Sequence, residues 1–503
     1  MKLEAHGLTL SILLLGLLMT SPSSPWVAPA ADSAVEEPTP GRLIERISCE
    51  KSPGQSYALY LPSTYSPARR WPLVAAFDPG ARGKVPVEHF KEAAERYSFI
   101  ICGSNNSRNG PMTPTAEAAK AMLADVSEKF AIDNNRVYLA GFSGGARAAT
   151  ALAVSLAGRV AGVIGCGAGL SEGLTASSSL PFIHYGTVGN EDFNYPEMKQ
   201  LDRALESAGV VHHLEIFEGG HAWPPAEICL RALEWLELQA MKLDRRTRDD
   251  SLIDRFVKNA EDAASSFEAA NRSYDAYVVY TRLAADLKGL RDVTGFEKKA
   301  ASFRDSKAVK QAINKEREEE VAQRRRVAEL FGLRARLTTP ATKSALGEGT
   351  QGRGINGQSY DPAADSETRE QTISDLKGKL ADLKRKSDAK DNTPERALAR
   401  RVLNEFTIAS FEQSSTLIQF RRFDLAAANL AIDAEIMPDD WRVLYNLACA
   451  QALAGDKRRA IEALNNSVKK GFSSASELEN NHQFDSIRNE PGFKRILDGL
   501  KKQ

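Results

Sequence analysis

The chain has 503 residues, enough for two to four domains at roughly 150 residues each. It is 42% hydrophobic and 26% charged, the makeup of soluble globular material. Its 66 basic residues balance 66 acidic ones, so no net charge draws it toward nucleic acid or an anionic membrane.

Met1 and Lys2 precede an apolar run, Leu8–Met19. At about 12 residues it is short for a membrane span and the right length for the core of an export signal. Ala28 and Ala30 have the spacing of a cleavage site. The expectation for residues 1–30 is a signal peptide cut near Ala30–Ala31 and an exported mature chain, with an uncleaved anchor as the alternative. No cysteine follows the apolar run, which argues against a lipid anchor, and no later segment could span a bilayer. Residues 31–46, rich in Ala, Pro and Glu, read as a linker. The five cysteines have irregular spacing and form no zinc motif; an oxidising compartment would permit a disulfide through Cys49 or Cys229.

From about Ile47 to Ala240, short apolar runs alternate with helical stretches. "WPLVAAF", "SFIICGS", "RVYLAGF", "VAGVIGC" and "PFIHYGTVG" are continuous rather than alternating, as in strands buried on both faces. Helical patterns separate them, which predicts an α/β domain built on a mostly parallel sheet. After Ala240 the strand pattern stops. Residues 241–335 read as helical, and the charge run "KEREEEVAQRRR" within them reads as a solvated helix face. Residues 336–370 are poor in apolar content and read as a flexible linker. Residues 371–503 read as helical, with Ala426 and Leu430 recurring as Ala460 and Leu464 at an offset of 34 residues. That is the period of tetratricopeptide repeats, which this region resembles over roughly 400–472, with Gly455 at the turn. Gln451 stands where the family usually carries an aromatic. The helices before 400 and after 480 are expected to act as caps, since two units cannot bury one another's faces alone.

Chemistry concentrates at "GFSGG", residues 141–145. A buried strand enters this G-x-S-x-G and an Ala-rich helix leaves it, the context of a nucleophile on a sharp strand-to-helix turn. A serine hydroxyl needs a base, and the base needs an orienting group. In the order Ser, acid, His, the base candidates after Ser143 are His184, His212, His213 and His221. His221 is favoured because it sits in a glycine-flanked loop after a strand. His184 lies inside an apolar strand and reads as core. Asp192 is favoured over its neighbour Glu191 as the acid. The oxyanion hole would use the Gly144 amide and a second amide, from Gly80 or Ala81, in the loop after "PLVAAF". Asn106 and Arg108, in "SNNSRNG", lie after a strand at the same end of the sheet and are candidate substrate contacts.

With "IDNNRVYLAGFSGGA", "GTVGNEDF" and "GGHAWP" on the page, the segment 47–240 resembles the α/β-hydrolase esterases of the polyhydroxybutyrate depolymerase and feruloyl esterase type. The resemblance implies a secreted serine esterase with a Ser143–Asp192–His221 triad, Trp223 beside the substrate, and neither metal nor cofactor. One departure is Asp78-Pro79, where relatives often have a His-Gly pair. The expected substrate is a small-molecule or polymeric ester, and the repeats are expected to bind a protein or peptide, not nucleic acid. A peptidase or amidase with the same triad, or an inactive scaffold, are the alternatives.

Overall fold

The computed structural model describes residues 38–337 and 362–502. The expected export signal and cleavage site lie outside the described residues.

Eight strands form one sheet: β1 (Leu43–Cys49), β2 (Ser52–Tyr60), β3 (Trp71–Phe77), β4 (Ile100–Ser104), β5 (Ile132–Phe142), β6 (Gly162–Cys166), β7 (Ile183–Gly189) and β8 (His212–Phe217). Their order is β1-β2-β4-β3-β5-β6-β7-β8. β1–β2 and β2–β4 pair antiparallel, and every other pairing is parallel. All seven residues of β3 and all five of β4 and of β6 are buried, as continuous apolar runs demand when helices cover both faces.

Two separate clusters show the layering. On one face α1 (Lys84–Tyr97) contributes Val87 and Phe90, and α5 (Ala226–Lys242) contributes Leu233, Trp235 and Leu236. On the other, α2 (Met112–Lys129) contributes Met122 and Val126, and α3 (Gly144–Ser155) contributes Ala149 and Leu152. A fifth helix of the domain, α4 (Tyr195–Ser207), packs Met198 against Val188 and Leu214. This is the α/β-hydrolase arrangement.

The following helices extend that core rather than standing apart from it. α6 (Asp250–Ala269), α7 (Ser273–Leu287) and α8 (Thr294–Arg304) place Ile253, Val257, Tyr280, Leu283 and Ala300 in the same apolar cluster as α1 and α5. Trp235 Nε1 donates to Asp286 Oδ1 at 2.6 Å, joining α5 to the end of α7. The long helix α9 (Lys307–Leu337) then packs Val327 and Leu330 against α10 (Pro362–Ser387) and α11 (Pro394–Gln419) through Leu376, Leu380, Val402 and Phe406. The rest of the chain is helical: α12 (Phe423–Ile436), α13 (Trp441–Leu453), α14 (Lys457–Lys469), α15 (Ala475–Asn480) and α16 (Pro491–Leu500). Ala426, Leu430, Ala460 and Leu464 are all buried in one cluster, and Gly455 makes the α13–α14 turn at φ 83°. Phe484, Ile487, Phe493 and Leu500 close that cluster from the C-terminal side.

Three expectations need correction. The linker ends earlier than residue 46, because Leu43 already pairs with Tyr60. Residues 336–337 and 362–370, expected within a linker, are helical, because α9 runs to Leu337 and α10 starts at Pro362; residues 338–361 lie outside the described residues. Finally, Cys49 and Cys229 form no disulfide, all five thiols being free and buried. Burial pushes Cys49 up to about 11 and Cys166 and Cys449 to about 12, so these thiols pack as small apolar groups. Among the described residues, no helix is long and apolar enough to cross a membrane.

Candidate active site

The loops that carry the candidate residues all leave the carboxyl ends of parallel strands: after β3, β4, β5, β6, β7 and β8. Ser143 follows β5 and precedes α3 at φ 54°, ψ −122°, an unfavourable backbone for a residue with a side chain. Close packing enforces it. A Cβ on Gly141 would lie 2.1 Å from Gly145 O, and one on Gly145 would lie 2.0 Å from Phe77 O. Only glycines let strand and helix meet this tightly, and their meeting pushes the half-buried Ser143 outward. The Ser143 N–H donates to Cys166 O at 2.9 Å, anchoring the turn to the end of β6.

Asp192 and His221 come together on the neighbouring loops. His221 Nδ1 faces both oxygens of Asp192, at 3.0 and 2.9 Å. Asp192 is fully buried, and its Oδ1 also accepts from the Asn194 N–H at 2.8 Å. A carboxylate at Nδ1 selects the tautomer protonated there and leaves the Nε2 lone pair outward. The imidazole lies between the rings of Phe142, at 4.5 Å, and Phe193, at 4.4 Å. Phe142 immediately precedes Ser143, so the elbow and the base share one apolar wall. A Cβ on Gly167, just after β6, would sit 3.0 Å from Asp192 Oδ2 and 3.3 Å from the His221 ring. The backbone there floors the pair, and Asn194 Nδ2 holds it by donating to Gly167 O at 2.7 Å. Among the described residues no hydrogen bond closes on Ser143 Oγ. Hydrogen bonds between a catalytic serine and its base are often long or poorly aligned without substrate.

The other histidines are engaged elsewhere. His184 is buried in β7. His212 Nε2 faces Asp202 at 3.2 Å, and His213 stacks on Tyr185 with Nδ1 3.1 Å from Asp286. Glu191, the alternative acid, points away from His221 and pairs with Arg396 at 2.9 Å and Arg400 at 2.6 Å.

The residues expected around the pair behave differently. Gly80 N–H is occupied by Asp78 Oδ1 at 2.8 Å and Ala81 N–H turns back to Asp78 O at 3.2 Å, so neither is a free oxyanion donor. Asp78, in place of the family's His-Gly pair, is fully buried and also accepts from Arg82 (2.8 and 3.0 Å) and Trp223 Nε1 (2.9 Å). Burial resists its ionisation, but bonds from Arg82 and Trp223 outweigh that and hold its carboxyl below the usual range. Trp223 is therefore not a substrate contact: it is 6% exposed and braces the His221 loop against the β3 loop. Asn106 is not one either, since Oδ1 accepts from Ser56 N–H at 2.8 Å and Nδ2 donates to Gly54 O at 3.2 Å. Arg108 is exposed, and its backbone forms a bridge with Gly80. Its neighbour Asn109, which the sequence did not single out, lies beside the elbow. A Cβ on Gly144 would lie 1.9 Å from Asn109 Oδ1, while Asn109 N–H donates to Pro79 O at 2.9 Å. Its side-chain amide thus stands over the first residue of α3; the polar loop signalled the region but not the residue.

The charged stretch of α9 is not a purely solvated face. Glu320 is 6% exposed and pairs with Arg203 at 2.9 Å, and Glu316 bonds Tyr195 and Tyr274, each at 2.9 Å.

No family model and no curated protein matches the chain. Solved structures similar to it include a hyperthermophilic esterase from the archaeon Pyrobaculum calidifontis, at 13% identity over 40% of this chain and 87% of that one, with TM-score 0.34. An S-formylglutathione hydrolase from Staphylococcus aureus matches at 14% identity over 40% and 98%, TM-score 0.32. A ferulic acid esterase matches at 14% over 39% and 97%, TM-score 0.33.

Proposed function

We propose that this protein is an exported serine hydrolase that cleaves carboxylic esters through Ser143, His221 and Asp192. The observation that carries the reading is the buried Asp192 bonded to His221 Nδ1 beside a strained serine elbow. In the proposed reaction His221 Nε2 takes the Ser143 proton as Oγ bonds to the acyl carbon. The carbonyl electrons move to oxygen, where the Gly144 amide and the field of the α3 N-terminus stabilise the charge. Collapse expels the alcohol, which takes the proton from His221. Water then attacks the acyl-enzyme with the same base, and the acid product leaves. A rotation that turns Asn109 Nδ2 toward Gly144, where Oδ1 now lies nearest, would supply a second donor to the oxyanion. The helical pairs of 394–469, with their 34-residue recurrence, support a tetratricopeptide-like surface for a protein or peptide partner.

Labelling with a fluorophosphonate probe and turnover of p-nitrophenyl butyrate test the reading. Both should be present in the wild type, and Ser143→Ala should remove labelling and lower kcat by at least ~10⁴-fold. Greater catalytic efficiency on peptide amides than on esters would make the protein a peptidase. A folded wild type that neither labels nor turns over ester would leave a scaffold.

A further inference from the structure

The loop that carries Asp192 is held by residues far away in the chain. Arg401 Nη1 donates to Asn190 O at 2.9 Å. Arg396 donates to Glu191 Oε1 through Nε (3.1 Å) and Nη2 (2.9 Å), and Arg400 Nη1 donates to Glu191 Oε2 at 2.6 Å. Gln323 Nε2 donates to Phe193 O at 2.9 Å and to Glu405 Oε2 at 2.8 Å. The residues on both sides of Asp192 are therefore fixed by α9 and α11, about two hundred positions away in the case of α11.

The contacts are largely sheltered, although the Arg396 and Arg400 side chains are 15% and 37% exposed. Arg401 is 3% exposed, Gln323 2% and Glu191 7%. The Arg401 guanidinium also lies over the Tyr195 ring, 4.7 Å from its centre, just past the loop. Burial disfavours the Glu191 carboxylate, yet hydrogen bonds from Arg400 and Arg396 bring its carboxyl below the usual range, as expected of a fork-held pair. The grip is passed on to the base. Glu191 N–H donates to Gly219 O at 2.9 Å, and Gly219 N–H donates to Asn190 Oδ1 at 3.1 Å. Gly219 lies two residues before His221, so acid loop and base loop form one bonded block with the helical region behind it. Phe193, whose carbonyl Gln323 holds, is the ring that packs on His221.

We propose that α9 and α11 are a positioning element of the catalytic site: Gln323, Arg396, Arg400 and Arg401 fix the loop that aims Asp192 at His221. The inference rests on the triad reading given above. None of the four touches the reacting atoms; they act through the loop. Misplacement of a catalytic group by ~1 Å can cost about 100-fold in rate, so a loosened loop should lower kcat more than it raises KM.

The test uses the full chain with the double variant Arg396→Gln/Arg400→Gln, and Glu191→Gln as a second variant that leaves the helices untouched. Hydrogen exchange at residues 189–194 should speed up by about tenfold or more in both. With p-nitrophenyl butyrate, kcat should fall about tenfold at nearly constant KM, well below the melting temperature. Arg400→Lys, which keeps the charge, should retain more of the wild-type kcat than Arg400→Gln. Unchanged loop exchange and kcat in a folded variant would overturn the proposal. So would a lowered melting temperature with kcat intact, which is the mark of a purely structural contact. If the double variant does not fold, Glu191→Gln decides. If the wild type neither labels with fluorophosphonate nor turns over ester, the esterase reading fails, while loop exchange still decides whether the helices hold the loop.

Discussion

At the scale of single residues, the elbow separates two glycines that look alike in the sequence. Gly144 and Gly145 are adjacent, yet what surrounds them differs. A Cβ at 145 would meet the backbone oxygen of Phe77 at 2.0 Å, and neither strand nor helix can move without breaking the parallel ladder. A Cβ at 144 would meet only the side-chain end of Asn109, an exposed residue that can swing aside. Gly145→Ala should therefore destabilise the protein by about 3 kcal/mol or more, read as a shift in urea midpoint, and remove fluorophosphonate labelling. Gly144→Ala should change stability by about 1 kcal/mol or less while slowing ester turnover, because in the proposed reaction the Gly144 amide is an oxyanion donor. Equal loss of stability in both variants would contradict the packing described here. The same residue-level detail explains why the oxyanion donors were hard to read. Whether Gly80 and Ala81 are free depends on the Asp78 carboxylate, which folds back to occupy one amide while its carbonyl occupies the other.

At the scale of strands and helices, much was legible. Continuous apolar runs in β3, β4 and β6 gave the buried sheet, and Ser143, Asp192 and His221 were picked by combining the α/β-hydrolase order of serine, acid and histidine with their positions in loops after strands. Asn106 and Trp223 were misread because polar and aromatic residues near a site look the same whether they face ligand or fasten one loop to another. The charged face of α9 was misread because a helical charge run carries no sign of its partners, here Arg203, Tyr195 and Tyr274. Within β7, His184 has a consequence of its own. Burial, with His212 adding in the same direction, pushes its imidazole from the ordinary 6.5 down to about 4. The folded state keeps it neutral where the unfolded chain takes up a proton. Its contribution is thus complete above pH 6.5 and is lost as pH falls toward about 4, amounting to about 3 kcal/mol. His184 Nε2 has no hydrogen-bond partner, so leucine can replace the ring without orphaning a neighbour at that atom. Urea unfolding of His184→Leu should show a shallower loss of stability between pH 6.5 and pH 4 than the wild type; parallel curves would mean the ring is solvated.

At the scale of the whole molecule, the helical region and the sheet domain share structure through α9 and α11. The first part of α11 grips the acid loop through Arg396, Arg400 and Arg401, and its end places Leu417 and Ile418 against the repeat cluster. At 26 residues it is about 39 Å long, a stiff rod from the C-terminal helical cluster to the candidate site. One buried ion pair ties the rod's neighbours together. Arg334 on α9 forks onto Asp433 on α12 at 2.6 and 3.0 Å, with side chains 6% and 1% exposed, and its third nitrogen reaches Gln413 on α11 at 2.9 Å. Removing one partner leaves a charge stranded in apolar surroundings, so Asp433→Ala should cost about 3–5 kcal/mol. Replacing both groups with apolar ones removes the stranded charge along with the attraction. Arg334→Met/Asp433→Leu should therefore unfold in urea at a midpoint well above that of Asp433→Ala, near the wild type. Because Arg334 also reaches α11, Asp433→Ala should raise hydrogen exchange at residues 189–194 even though it lies two helices from that loop, and the double variant should restore part of the protection. If Asp433→Ala loosened only its own end of the molecule, the C-terminal helices and the site would be mechanically independent, and a change in those helices would have no route to Asp192.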